Sequence, residues 1–473
     1  MAETIAQSID LKGRSPPSLS YRNDEHVRGW RMVTIFVTLL LINVFSQIDR
    51  ILPFILAESI KADLGLSDTQ MGLLTGLAFA VCYSLLSLPL ARASDRGSPR
   101  LVLVSCILLW SVMTTLGGFA ASFMLLAFTR FGVAIGEAGA VPAGHALIAR
   151  KIRPERRGLA IGLFAMGVPL GTMVGFAAGG AIGDTLGWRT AMVGAGAVGV
   201  LIALLSLIVP GPTPTLKRTA ANSEPFVKSS RRLLASPAFR WLVIASIFLG
   251  FAGAPFYAFA APFLIRTHGF SASEVGMAFG LLQGLMGIIG TLLGGRWFDR
   301  AVSLGAGGML RPPAILFLIA SATTTAALFA PIGWLSIALL VPGMLSFSFM
   351  QPWAFGAAHL VAGEGKQAQA SSLVMIGSGL LGPALGPVIV GMVSDAATTA
   401  HVANGLALGL LIVPIASILT CLALLIAGGR IPASLGQSTV TRGRTGHLDK
   451  PAKSQTPLAS PLTYTLPSHP TET

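Results

Sequence analysis

Apolar residues run through this chain in long unbroken stretches rather than at the alternating or three-and-four spacing of a half-wetted strand or helix. Twelve stretches are continuous enough to read as helices crossing a bilayer: roughly 31–53, 69–90, 101–121, 124–148, 158–182, 188–209, 240–264, 273–295, 312–331, 334–358, 370–393 and 404–427. Each is close to the ~20 residues that ~30 Å of hydrocarbon demands. Their length and continuity exclude a transmembrane barrel, whose strands are ~10 residues of alternating polarity. The expected fold class is therefore all-α and integral to the membrane. Polar stretches divide it into an N-terminal tail (1–30), a six-span bundle (31–209), a Pro-rich basic linker (210–239), a second six-span bundle (240–430) and a disordered tail (431–473) rich in Ser, Thr and Pro.

Composition agrees with this reading. Hydrophobic residues make up 53% of 473, charged residues only 11%, and the mean hydropathy is +0.73, more than a water-soluble surface supports. The net charge of +14 raises nucleic acid as a partner, but its placement argues otherwise. With both termini in the cytoplasm, 28 of the 33 Lys and Arg fall in inward-facing segments, three (Lys61, Arg189, Arg266) in outward loops, and two (Arg50, Arg130) inside spans. That asymmetry is topological. Residues 1–29 lack an apolar core, so no cleavable leader is expected. Cys82, Cys106 and Cys421 all fall in spans, which supports neither a disulfide nor a metal site.

The chain also repeats. Gly65, Ser67, Gly72, Gly76, Asp95 and Arg96 recur as Gly269, Ser271, Gly276, Gly280, Asp299 and Arg300, at a constant offset of 204. Gly171, Gly175, Gly180 and Asp184 recur as Gly382, Gly386, Gly391 and Asp395, at an offset of 211. Two matched sets in the same order imply two related halves. Parallel repeats of this kind are one plan of secondary transporters, with the site between the halves.

Four charges lie away from the ends of the spans: Asp49 and Arg50 on the first, Arg130 and Glu137 on the fourth. A spacing of seven is close to two turns of about 3.6 residues, so Arg130 and Glu137 share a face. A charge at the bilayer centre costs at least ~2.5 kcal/mol, so these four must face a cavity or one another. Two readings are open. In one, two acids and two bases form a neutral cluster that fixes helix 1 against helix 4, with Arg130 and Glu137 a structural pair. In the other, Glu137 or Asp49 exchanges protons, and Arg130 or Arg50 tunes it or holds an anionic group; burial favours a neutral carboxyl, a nearby Arg a charged one.

"ARASDRGSPR" (91–100) resembles the loop 2/3 signature of the major facilitator superfamily, and "GRWFDR" (295–300) its second copy, although Ala91, Ser98 and Pro99 depart from the usual Gly and basic residues. "IDR" (48–50), "LSDTQMGLLTGLAFAVCYSL" (66–85), "LWS" (109–111), "TRFGVAIGEAGAVPAG" (129–144) and "GWR" (187–189) together resemble the Spinster-like branch. The resemblance implies two pseudo-symmetric six-helix bundles and a central cavity lined by the helix 1 Asp-Arg and the helix 4 Arg and Glu. It also implies an inner gate of Asp95, Arg96, Asp299 and Arg300, where an acid meets the positive N-terminal end of helix 11 or helix 5.

The second half offers no central charge, only Tyr257, Gln283, Ser346, Ser348, Gln351 and Ser378 amid Phe, Met and Trp; with Tyr83 from the first half, all but Ser348 are taken as cavity-lining candidates. His359 reads as an interfacial histidine. Such a cavity suits an amphiphile or organic anion. Neither an enzyme constellation nor a G-x-x-x-x-G-K-[ST] loop is present. The expected function is proton-coupled secondary transport of a small organic solute by alternating access, its rival a uniporter or exchanger of the same fold. The expected partners are the solute, a proton and the bilayer, with the chain a monomer in a bacterial inner membrane and no cofactor, metal or nucleic acid.

Overall fold

The computed structural model describes residues 30–152, 154–207, 226–303, 308–363 and 366–431. The expectations for the N-terminal tail, for the first part of the linker and for the tail beyond 431 lie outside the described residues. Eleven helices among the described residues are long and apolar enough to span a membrane. One of them, Gly167–Ser206, runs 40 residues and leaves helical geometry at Gly187 (φ 84°, ψ 159°). At ~1.5 Å per residue that is twice the length of one crossing. It therefore holds the fifth and sixth spans, and the described residues make twelve crossings.

The spans are Trp30–Ile55, Asp68–Ser94, Pro99–Gly117, Phe123–Lys151, the two passages meeting at Gly187, Pro237–His268, Ala272–Ser303, Arg311–Leu328, Gly333–Ala362, Gln369–Thr399 and Gly405–Gly428. Several run a turn or two beyond the expected ends. Because the number of crossings is even, span 1 begins and span 12 ends on one face, the terminal face; the opposite face is the far face. Within the expected linker, Phe226–Ala235 is helical.

The "GWR" triplet fastens the turn between spans 5 and 6. Gly187 takes the positive φ that a side chain disfavours. Trp188 then donates its indole N–H to Asp63 at 3.0 Å, and Arg189 pairs with the same carboxylate. The Arg189 hydrogen bond holds the Asp63 carboxyl below the usual carboxylate range.

The repeated residues mark where the halves meet. Gly65 and Gly269 each end a helix in the left-handed region (φ 63° and 71°). Ser67 and Ser271 each open the next with a capping box, closed by Gln70 and Glu274. A methyl group on Gly72 would collide with the Pro387 carbonyl, and one on its counterpart Gly276 with the Phe176 carbonyl, 211 residues before Pro387. Gly391 sits against Asp68 as Gly180 sits against Ala272. Glycine is required at these four points because two backbones touch there. All four lie in the far-face half, so spans 2 and 11, and 5 and 8, are sealed on that side. Phe176 of span 5 extends the seal, packing at 5.3 Å on Phe279, which meets Phe256, itself edge-on to Phe347.

Spans 2 and 11 each contain one π-helical turn, Leu73–Leu77 and Gly377–Leu381. Both sit beside the point where the two helices part toward the terminal face.

Candidate functional site

Between the halves lies a cavity of about 450 Å³, walled by spans 1, 2, 7, 10 and 11 and running from the far-face seal toward the terminal face. Its first-half wall carries Gln47, Arg50, Tyr83, Ser84 and Ser87; its second-half wall carries Tyr257, Gln351 and Ser378 among Phe347, Phe355, Val374 and Met375. Among the described residues, no acid or base comes from the second half.

Arg50 is the charge that reaches this space. Its guanidinium donates twice to Glu137 Oε2, from Nη2 at 2.6 Å and Nε at 3.1 Å, and lies over the rings of Phe79 (4.7 Å) and Tyr83 (5.2 Å). Two bonds and two ring faces fix a long side chain that would otherwise be mobile. Glu137 is buried and lies behind Arg50, its Oε1 without a hydrogen-bond partner among the described residues.

Asp49 and Arg130 lie deeper. Arg130 is 3% exposed and approaches the backbone carbonyl of Asp49 at 3.5 Å. The Asp49 carboxyl is 2% exposed, among Glu137, Arg130 and Thr114. The four intramembrane charges thus form one cluster, but its direct ion pair differs from the structural pair read from spacing. Glu137 is held by Arg50 of span 1, not by Arg130 of its own helix, because spans 1 and 4 face each other across this cluster while a long side chain on one helix cannot easily bend back two turns.

Of the candidates from the second half, Tyr257, Gln351 and Ser378 line the cavity, as does Tyr83 from the first. Gln283 stands behind the wall, 3% exposed, and donates to the Tyr257 hydroxyl at 2.8 Å. Ser346 is fully buried and bonds its own helix at Gly343 O. His359 meets Ser371 Oγ at 2.6 Å. Asp299 and Arg300 are exposed at the terminal-face end of span 8, and the side chains of Asp95 and Arg96 lie outside the described residues. Gln47 and Phe79 were missed by the sequence reading. Gln47 stands three residues before Arg50 and Phe79 four before Tyr83, spacings that put each on its partner's face.

The far face holds a second charge cluster. Asp68 is 1% exposed and accepts from Lys61 at 2.5 Å, from both Arg266 Nη atoms at 2.7 and 2.8 Å, and from Ser394 at 2.6 Å. Arg266 also pairs with Glu58 at 2.6 Å. Lys61 and Arg266 are the same residues that the sequence placed as outward loop charges.

Two related six-helix halves around a central cavity, sealed on one face, define a secondary transporter rather than an enzyme. The sequence profile of the Major Facilitator Superfamily matches residues 39–387, and the chain belongs to that superfamily, in its Spinster-like branch. An MFS-type efflux pump of Mycolicibacterium smegmatis is 36% identical over 372 residues, 78% of this chain and 86% of that one. Protein spinster homolog 1 of Xenopus tropicalis is 25% identical over 392 residues, 77% of this chain and 73% of that one. A bacterial homologue of the human lysosomal transporter Spinster, in an inward-facing and unoccupied conformation, superposes with a TM-score of 0.72 at 27% identity, over 90% of this chain and 100% of its own.

Proposed function

We propose that this transporter moves a small amphiphilic or anionic organic solute by alternating access and couples that movement to protons through Glu137. The observation that carries the reading is that Arg50, the one cation among the described residues of the cavity wall, is held by a carboxylate buried behind it. An anionic group in the cavity and ionised Glu137 compete for the same guanidinium. A proton on Glu137 weakens its hold and frees Arg50, so proton and solute occupancy are linked, and by reciprocity each alters the affinity for the other. Asp49 is the second carboxyl able to take part. The apolar second-half wall with Tyr257, Gln351 and Ser378 supports a solute with an apolar body and few acceptors.

The moving units of this reading are the bundles 31–209 and 240–430, rocking on the glycine contacts of spans 2, 5, 8 and 11. Asp95, Arg96, Asp299 and Arg300 form its terminal-face gate. The excess of Lys and Arg on that face supports cytoplasmic termini in a bacterial inner membrane, with the chain working as a monomer.

The test is solute transport in proteoliposomes with and without a pH gradient. Glu137→Gln is expected to abolish gradient-driven transport while keeping counterflow at equal pH. An unchanged pH response in that variant overturns the assignment to Glu137.

A further inference from the structure

The helix Phe226–Ala235 ("FVKSSRRLLA") precedes span 7 by one residue, Ser236, which makes a sharp turn into Pro237. Its two sides differ. Ser229, Ser230 and Leu233 are buried, whereas Lys228 and Arg231 point away from the protein and are exposed. The buried serines grip one residue of span 11: Ser229 donates to Gln369 Oε1, and Gln369 Nε2 donates to Ser230 Oγ at 2.8 Å. Both ends of the amide are thereby engaged by consecutive serines. Gln369 begins the span that further along supplies Val374, Met375 and Ser378 to the cavity.

Depth follows from the neighbours. Four residues into span 7, half-buried Trp241 has the Arg430 guanidinium 5.5 Å from its ring centroid, and Arg240 beside it is exposed. A tryptophan with basic residues at a span's end marks the headgroup level. A helix that ends one residue before span 7, with Ser229, Ser230 and Leu233 packed inward and Lys228 and Arg231 outward, lies close to that level.

We propose that Phe226–Ala235 is a docking surface for anionic phospholipid headgroups of the terminal-face leaflet, with Lys228 and Arg231 as the phosphate-contacting residues and Gln369 as the link that carries lipid charge to span 11. Charge complementarity selects the partner: cations held at headgroup depth meet phosphodiesters at high local concentration. Because the serine grip on Gln369 is made with the cavity facing the terminal face, lipid that fixes the helix there stabilises this state, to the extent that the other state loses the contact. The inference rests on alternating access but not on proton coupling or on the identity of the solute.

The experiment uses the full chain, its three cysteines replaced by serine and Ser87→Cys added at the cavity wall, in vesicles of phosphatidylcholine with or without phosphatidylglycerol. Labelling of that cysteine by an impermeant maleimide from the terminal face reads the state. Phosphatidylglycerol is expected to speed labelling several-fold, and soluble glycerophosphate added to phosphatidylcholine vesicles is expected to do nothing. Lys228→Gln with Arg231→Gln should remove the lipid effect and leave the rate in phosphatidylcholine unchanged. Gln369→Leu should also remove it, while a nitroxide at position 235 still reports headgroup depth. Equal rates in the two lipids, an effect that survives in the Lys228/Arg231 double variant, an equal response to glycerophosphate, or a nitroxide in bulk water would each overturn the proposal. The nitroxide depth is read independently of transport, so failure of the docking surface and failure of the transport reading are separable.

Discussion

Asp395 of span 11 caps the first turn of span 2 in the other half, accepting the Thr69 backbone N–H at 2.9 Å and the Thr69 hydroxyl at 2.6 Å. It also takes the Asp68 N–H at 2.9 Å. The related contact joins Asp184 of span 5 to the Ser273 N–H of span 8 at 2.6 Å. Thr69 and Ser273 are 204 residues apart and Asp184 and Asp395 are 211, so one interaction is built twice across the pseudo-symmetry. Both caps bridge the two halves on the closed far face.

Asp395→Asn keeps the shape and removes the charge. A carboxylate at a helix N-terminus contributes about 0.3 to 1 kcal/mol, and the shared Thr69 bonds add to it. The variant is expected to populate the far-face-open state several-fold more, read as a longer distance between spin labels placed on the two halves at that face. Asp184→Asn should act in the same direction and more weakly, since Asp184 shows one bond to the other half where Asp395 shows three. Unchanged distances in both would reduce the caps to solvated contacts.

Neutralising Asp68 should have the larger effect. Its carboxylate is the common acceptor of Lys61 and Arg266, and removing one member of a buried ionic group costs about 3 to 5 kcal/mol. The side chains of Lys61 and Arg266 are 26% and 30% exposed, so water recovers part of that and the low end of the range applies. Asp68→Asn is expected to open the far face, and Asp68→Asn with Arg266→Gln to restore part of the closed population by removing the stranded cation. If the double variant is as open as the single, Arg266 is held by Glu58 alone.

Arg50→Leu leaves Glu137 buried without its cation and should lower the yield of folded, membrane-inserted protein. Arg50→Leu with Glu137→Leu should recover that yield, and Arg130→Leu with Glu137→Leu should recover less, because Arg130 is not the direct partner. Neither double variant should accumulate solute against a gradient. Full gradient-driven transport in the Arg50/Glu137 double variant would make the pair scaffolding.

Gly391→Ala and Gly72→Ala place a methyl group against the backbones of Asp68 and Pro387. Overpacking of this kind costs about 1 to 3 kcal/mol, and here only the far-face-closed state meets it. Both variants should therefore shift the same spin-label distances toward opening, without loss of folded protein. Gly162→Ala, where a methyl group meets nothing within 4 Å, is the neutral comparison.

The spans and the two halves are legible in the sequence because membrane crossing imposes a length, and because residues at cross-half contacts must be small or capping in both copies. Gly72 and Asp395 therefore stand out at constant offsets. The partner of Glu137 is not legible. Spacing of seven places Arg130 on the same face, but which residue of another helix stands opposite depends on how the helices are turned about their axes. The same limit hides the far-face cluster: Asp68 lies seven residues from Lys61 and 198 from Arg266, and both cations read as ordinary loop charges. Gln283 and Ser346 carry polar groups like those of Tyr257 and Gln351, yet they point into the packing, a difference of rotation about the helix axis that polarity does not encode. The Ser-x-x-Gln and Ser-x-x-Glu boxes at 67–70 and 271–274 were within reach of a sequence reading.

The π turn at Leu73–Leu77 gives span 2 a phase shift. A loop closed between residues five apart holds one residue more than an α turn, so everything after it is wound about 100° away from where an uninterrupted helix would carry it. Phe79, Tyr83, Ser84 and Ser87 present themselves to the cavity on the far side of that shift. Straightening Leu73–Leu77 to an α turn with all five residues kept would leave the Ser67 cap and the Gly72 contact in place and swing that stripe off the solute path, whereas deleting one residue there closes the bulge and keeps the stripe on the cavity. In this helix the seal and the recognition face share one backbone, and the width of a single turn decides which of its side chains the solute meets.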